Sequence, residues 1–430
     1  MTKIRKIKFA LLAIFILLPL ESGFSCSMYK ITINGKTIVG CNEDAWRLTP
    51  HIWFENALNP LTIGAAFTGS RFDGANGYAP QSGMNEYGLT YSRLASRSPE
   101  NNTQKRPAGM AISNPTQYLK DILHLCKTVE DVKEYISRYD HSYFMEDVFI
   151  YIDRSGRYLV VEPFTMTIGN DAKYVLSNFC PSVTSQEDAN KLDRYRNGVA
   201  FLKNGMDTNL QFTTALSDAM HVCREKIGDG TLLTSIWDTD KGNVNLYFYH
   251  QYKKTVQLNL KEELAKGDHI IAIDTLFPTN IEFEKLRDYK IPQNNTWMLL
   301  LVMGTGMLSL FTSFFFLIRY FSKKQSKYAL LQLALFPIGL ILFYYMFVLC
   351  TNMGIFYFSS PYKDSQNIFV SITSYIPFLM ILAIIPFIII NVKVFKEKLW
   401  GWFPKWLFAI NNLAYIILIG LFAYWGFYNV

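Results

Sequence analysis

The sequence predicts an exported α+β domain followed by four membrane-spanning helices. Three observations predict it: a basic-then-apolar start, a middle region of hairpin and amphipathic-helix signals, and four apolar stretches after residue 295. Composition agrees. Of 430 residues, 50% are hydrophobic and 16% aromatic, and only 18% are charged, against about a quarter in typical soluble domains. That content excludes a disordered chain, and the length suits roughly two or three domains.

The formal net charge of +7 belongs to one end of the chain. Residues 296–430 hold nine Lys/Arg and two Asp/Glu, whereas residues 1–295 hold 33 of each. Without the first 25 residues the larger region has 29 basic and 32 acidic groups. Nothing in that balance indicates nucleic acid. The basic excess lies among the apolar stretches, where it reports topology.

Residues 1–25 read as a signal peptide. Lys3, Arg5, Lys6 and Lys8 precede a 12-residue apolar core at 9–20, too short for a comfortable span and right for a secretory leader. Gly23 and Ser25 put small residues at −3 and −1 of a cut before Cys26. Cys26 would then open the mature chain. Three readings of it compete at this point: a lipidated cysteine, an N-terminal nucleophile, and an incidental residue at a domain edge.

A second region, 26–290, follows. Residues 28–33 and 36–40 flank Asn34-Gly35, the strongest short hairpin signal. Residues 117–126 and 129–139 have helical apolar spacing, and Thr128 with Asp131 forms a capping-box-like start. Residues 148–153 and 157–162 form a hairpin across Ser155-Gly156, 193–203 and 213–226 read as helices, and 245–250 with 254–260 gives another strand pair. Hairpins and helices in alternating blocks predict antiparallel sheets covered by helices. Of the six cysteines, Cys126 and Cys223 fall on expected helices, where a buried apolar role is the simplest. The six His residues show no metal-ligand spacing, and no CxxC, Walker loop, GxGxxG or GxSxG is present.

The membrane region, 291–430, contains stretches at about 297–318, 328–350, 368–392 and 406–428, each long enough to cross roughly 30 Å of hydrocarbon. Arg319, Lys323, Lys324 and Lys327 separate the first two, and Lys393, Lys396, Lys398 and Lys405 separate the last two. Both loops are expected in the cytoplasm. The expected protein is thus a multi-pass protein of the cell membrane with residues 26–290 on the outer side. Asn411 and Asn412 are the main polar groups inside a span, and Pro337, Pro377 and Pro386 are candidate kinks. An anchor or oligomerisation module is the simplest role, with a lipid conduit or sensor as the alternative.

Cys26, the run Gly40-Cys41-Asn42-Glu43-Asp44-Ala45-Trp46, Gly83-Met84-Asn85-Glu86-Tyr87-Gly88-Leu89, Val175-Leu176-Ser177-Asn178-Phe179 and Asp193-Arg194-Tyr195-Arg196 occur in that order. Together they resemble the linear amide C–N hydrolases, the family of choloylglycine hydrolases and penicillin V acylases. The resemblance covers roughly residues 26–278. It implies an αββα N-terminal-nucleophile hydrolase sandwich ahead of the four-helix membrane domain, and a small N-acyl amide as substrate, with no metal and no cofactor.

Amide hydrolysis needs a nucleophile, a proton shuttle and a place for the oxyanion. By the resemblance Cys26 supplies the sulfur and its own α-amine, of unperturbed pKa about 8, supplies the base. Asp44 would hold that amine, Asn178 would donate to the oxyanion, and Arg194, with Arg196 as fallback, would favour the thiolate or hold the Asp44 side of the site. Asn42 would orient substrate or backbone, and Asn85 with Glu86 would make a structural turn. Two positions depart from the pattern: Cys41 stands where many bile salt hydrolases have Arg, and Ala95 where they have an Asn near the oxyanion hole. Ala95 still has a backbone N–H to offer. The competing classes are an inactive hydrolase-like sensor or assembly protein, and an acyltransferase or self-processing peptidase on the same site.

Overall fold

The structure, a computed structural model, describes residues 26–44, 48–96, 109–224, 229–322, 327–352, 354–357, 360–363 and 367–428. The expected leader, Ala45, Trp46, Lys323, Lys324 and the end of the helix expected at 213–226 lie outside them. Two compact units divide the described chain, 24–287 and 288–430.

The first unit is mixed α/β with two large antiparallel sheets. It opens on β1 (Cys26–Ile33) and β2 (Lys36–Asp44). Asn34 and Gly35 join them with φ of 50° and 78°, the left-handed pair a tight two-residue hairpin needs. The other main strands of the two large sheets are β3 (His51–Glu55), β4 (Ala65–Gly69), β5 (Ser82–Asn85), β6 (Thr90–Ala95), β7 (Asp147–Ile152), β8 (Tyr158–Val161), β9 (Met166–Gly169), β10 (Lys173–Leu176), β11 (Asp229–Asp238), β12 (Asn243–Phe248), β13 (Val256–Asn259) and β14 (His269–Ala272). The first sheet runs β10-β1-β2-β11-β12-β13, with the short strand Cys223–Arg224 on β11. The second runs β9-β8-β7-β6-β5-β4-β3-β14.

Period-two alternation assigns the faces of the first sheet. Tyr29 and Ile31 of β1 pack with Leu202, Leu216 and Met220, from helices α3 (Asp193–Lys203) and α4 (Leu210–Met220). Tyr29 Oη donates to Thr213 O at 2.6 Å. Its ring lies over Gly40, where an added Cβ would sit 2.1 Å from a ring carbon, so this approach requires glycine. Cys26, Met28 and Lys30 point the other way, and Lys30 Nζ reaches Gly156 O at 2.6 Å in the β7–β8 turn of the second sheet. The second sheet buries Trp53, Phe67, Tyr91 and Tyr151 against α1 (Pro115–Leu125) and α2 (Val129–Ser137). The capping box at Thr128 and Asp131 forms as expected.

Four expectations change. The helix expected at 213–226 is α4, which starts at an Asn209 cap accepting from Phe212 N and ends at Met220. Cys223 consequently lies on a short strand and is exposed, not buried on a helix. The third apolar stretch is two helices, Ile368–Thr373 and Ile376–Lys396. Pro377 sits in the first turn of the second of these, where a missing N–H costs nothing, so it begins a helix instead of kinking one.

Four helices in the second unit are long and apolar enough to cross a membrane: α5 (Thr296–Ser322), α6 (Ala329–Thr351), α7 (Ile376–Lys396) and α8 (Trp402–Tyr424). The shortest has 21 residues, about 31 Å at 1.5 Å per residue. Gly339 lets α6 approach α5 closely, since a Cβ there would lie 2.6 Å from Ser309 O; small residues serve this purpose between membrane helices. Asn411 and Asn412 are buried in the bundle. The two basic loops meet at one end: Lys327 pairs with Glu397, and Trp400 Nε1 donates to Lys327 O at 3.2 Å.

Candidate active site

Cys26 begins β1 at the edge of the space between the sheets and is buried. Its backbone nitrogen donates to Asn178 Oδ1 at 3.0 Å, and its carbonyl accepts from Ser177 Oγ at 3.0 Å. Both partners follow directly on β10, which pairs with β1 from Met28↔Leu176 onward. Asn178 Nδ2 donates to Ala95 O at 2.8 Å. That arrangement fixes the amide orientation, because oxygen must face the donor and nitrogen the carbonyl. Nδ2 carries a second hydrogen for another acceptor.

Ala95 ends β6. Ser96 N donates to Glu146 O at 2.8 Å, so Ala95, one residue earlier, presents its own N–H and C=O to the opposite edge. Its carbonyl meets Asn178 there, and its N–H lies on the same edge.

The sulfur faces three groups. Gln81 Nε2 lies 3.6 Å from Sγ and also donates to Arg93 O. The backbone N–H of Asp44 approaches the sulfur and stabilises its ionised form. Glu43 is the residue opposite Cys26 in the β1–β2 register. Burial, then the Asp44 carboxylate, push the thiol up to about 12, against a smaller lowering by Arg194. The resting group is therefore a thiol and needs a base to ionise.

The Asp44 carboxylate accepts from Thr231 Oγ1 at 2.9 Å and pairs with Arg194 Nη1 at 3.2 Å. A bulge between Thr231 and Leu233 interrupts the β2–β11 register opposite Glu43 and Asp44; bulges re-aim side chains in this way. Arg194 comes from the first turn of α3. Arg196 turns outward to Asp193 and Asn190 O, with 52% of its side chain exposed, so it is not at the site. Asn42 ties β2 to its neighbours: Nδ2 donates to Ser217 O at 3.0 Å and Oδ1 accepts from Thr234 Oγ1 at 2.8 Å. Asn85 braces α1, with Nδ2 donating to Leu123 O and Cys126 O at 2.8 Å each. Cys41 is a buried thiol among Ser82, Ser92 and Ser235, pushed up to about 12 by burial.

The chain is similar in structure to a conjugated bile acid hydrolase. A mutant of that enzyme from Clostridium perfringens matches with a TM-score of 0.42 and 15% identity, covering 60% of this chain and 97% of its own. A second variant of it gives 0.42 and 17%, covering 59% and 97%. Penicillin V acylase from Agrobacterium tumefaciens gives 0.40 and 13%, covering 57% and 90%. No family model matches the sequence, and no curated protein does either.

The structure thus places Asp44, Arg194 and Asn178 around Cys26, joins Ala95 to it through Asn178, and leaves Asn42 behind them in the sheet–helix interface. It adds Gln81, Thr231 and Ser177. Gln81 stands two residues ahead of Gly83-Met84-Asn85 with no pattern of its own. Thr231 depends on a bulge, which no local signal announces. Ser177 was within reach of sequence reasoning, since it adjoins Asn178.

Proposed function

We propose that this protein is a membrane-tethered hydrolase of linear amide C–N bonds in N-acyl compounds, built on an N-terminal-nucleophile αββα sandwich. The observation that carries the reading is the Cys26 nitrogen held by Asn178 Oδ1 at 3.0 Å while Sγ of the same residue faces Gln81 and Asp44 N–H. Removal of residues 1–25 turns that nitrogen into an amine. One N–H goes to Asn178, and the lone pair can turn to the thiol. The amine takes the thiol proton, the sulfur attacks the acyl carbon, and the resulting ammonium protonates the departing nitrogen. Water then cleaves the thioester, with the amine again as base. Ala95 N–H, the second Nδ2 hydrogen of Asn178 and the Gln81 amide are the donors within reach of the oxyanion.

The motif set and the pairing of Asp44 with Arg194 favour chemistry over an inactive sensor. The test is a thiol-directed activity probe on the processed full-length protein, followed by a hydrolysis screen over bile salts, N-acyl amino acids, N-acylethanolamines and penicillin V. We expect labelling at Cys26 and turnover of at least one class. Absence of both favours the sensor or assembly reading, and transfer of the acyl group to added amines without hydrolysis favours an acyltransferase.

The location follows from charge. With both basic loops at one end of the bundle, we assign that end to the cytoplasm and residues 26–290 to the outer side. A reporter active only in the cytoplasm should work when fused at Lys324 or Lys396 and stay silent at Lys363 or Val430. The reverse pattern would sink the assignment.

A further inference from the structure

Between the two sheets, next to the nucleophile, lies a carboxyl that the mechanism above does not use. Glu43 follows Cys41 on the inner face of β2 and stands opposite Cys26; directly opposed residues of antiparallel strands have Cβ atoms about 4.5–5.5 Å apart. Its Oε1 accepts from Thr68 Oγ1 of β4 at 2.5 Å and from Ser82 Oγ of β5 at 2.8 Å. Ser82 Oγ lies 3.3 Å from Ser235 Oγ of β11, which also accepts from Trp237 Nε1 at 3.0 Å. Thr68, Ser82, Ser235 and Cys41 are sealed from solvent, whereas Glu43 keeps 8% of its surface open. Among the described residues no side chain pairs Oε2 and no cation faces the carboxyl directly. The titratable groups around it are Cys26 on β1, Cys41 and Asp44 on β2, Tyr91 on β6 and, beyond Cys26, Arg194 on α3. From β4, β5 and β11 it meets hydroxyls only.

We propose that Glu43 is a positioning residue that acts through Cys26: with its proton on, it lets the sulfur ionise, and with its proton off, it opposes that ionisation. The carboxyl braces two strands of the second sheet through Oε1, so the same group that fixes the inter-sheet spacing at the nucleophile also sets the field there. Burial pushes Glu43 up to about 7 against the opposing effect of its two hydroxyl donors. Below that pH the group is neutral. Above it the group is an anion beside Cys26, one of the charges that hold the thiol up. The amine base gains strength towards its unperturbed value of about 8, so the two ionisations oppose each other and hold the working range near neutrality.

The inference rests on Cys26 being the reacting thiol, as the hydrolase reading has it, yet its test needs no turnover. In the full-length protein carrying Cys223→Ser, alkylation of Cys26 by iodoacetamide is followed by mass spectrometry. We expect Glu43→Gln to react at the parent rate at about pH 5.5, where Glu43 is neutral, and roughly three- to tenfold faster at about pH 8.5. That range allows for a thiol about one unit more acidic and partly offset by lower intrinsic nucleophilicity. A merely structural role would change both rates alike, so a ratio independent of pH overturns the proposal. A second measurement needs no change at Glu43. Alkylation with iodoacetate leaves a negative group on Cys26 and iodoacetamide a neutral one; by reciprocity the infrared band of the protonated carboxyl should persist about one pH unit higher in the first adduct. Coincident titrations overturn the proposal. A protein that shows the coupling but hydrolyses no amide would count against the hydrolase reading and leave this inference standing.

Discussion

An alanine placed ahead of Cys26 is expected to remove nearly all of the proposed amide hydrolysis and to leave the fold intact. Residues 24–287 form their own compact unit with their own buried clusters, so the comparison is made on residues 26–290, one form beginning at Cys26 and the other at the added Ala. In the extended form the Cys26 nitrogen is an amide and keeps its hydrogen bond to Asn178 Oδ1, as it does in the unprocessed chain. What it loses is the lone pair. No imidazole is paired with the sulfur among the described residues, and burial holds the thiol up at about 12, so without the amine little thiolate forms near neutrality. The loss expected is on the order of a thousandfold in kcat/KM, within the usual contribution of a positioned base. Cys26→Ser with a free amine should also be weak, because a hydroxyl gives up its proton far less readily than a thiol. Mass spectrometry must establish each N-terminus. Comparable turnover by a verified Ala-extended form would remove the amine from the mechanism and the N-terminal-nucleophile assignment with it.

Much of the fold was legible because it is written in short-range signals. Asn34-Gly35 specifies its own turn, and with the turn comes the register that sets Cys26 opposite Glu43. Thr128 and Asp131 satisfy each other's backbone groups and so fix where α2 begins. The four helices that could cross a membrane announce themselves by length and apolarity. The errors fall where long-range packing overrides local preference. The apolar periodicity of 213–226 continues past Met220, but the chain leaves the helix to pair Cys223 with Gly230 on β11. At the site, Cys26, Asp44 and Asn178 could be named because they fall in ordered motifs that resemble a known family, the first two beside strands that local signals predict. Gln81 and Thr231 reach the sulfur and Asp44 only through sheet order and a bulge. The choice between Arg194 and Arg196 likewise turns on helix phase: two residues apart, the two side chains differ by about 200° around α3.

Replacing Arg194 by Met is expected to destabilise the first unit and to slow the proposed reaction together. The Asp44 side chain is 3% exposed and its Arg194 partner 13%. Removing one member of a buried ion pair leaves the other charge without its counter-ion, at a typical cost of about 3–5 kcal/mol. The hydroxyl of Thr231 remains on Asp44, so the lower end of that range is expected. The same change removes the cation that favours the Cys26 thiolate and leaves the carboxylate that opposes it, and a fall in kcat/KM on the order of a hundredfold should accompany the loss of stability. Asp44→Asn in the same protein tests whether the two effects share a cause. With both charges gone, no uncompensated ion is buried, and the double variant should recover at least about 2 kcal/mol of the stability lost by Arg194→Met. Denaturant unfolding of residues 26–290 carrying each single change and the pair provides the cycle. If the two changes add within about 0.5 kcal/mol, Arg194 and Asp44 are not coupled, and the losses of stability and of rate do not share the ion pair as their cause.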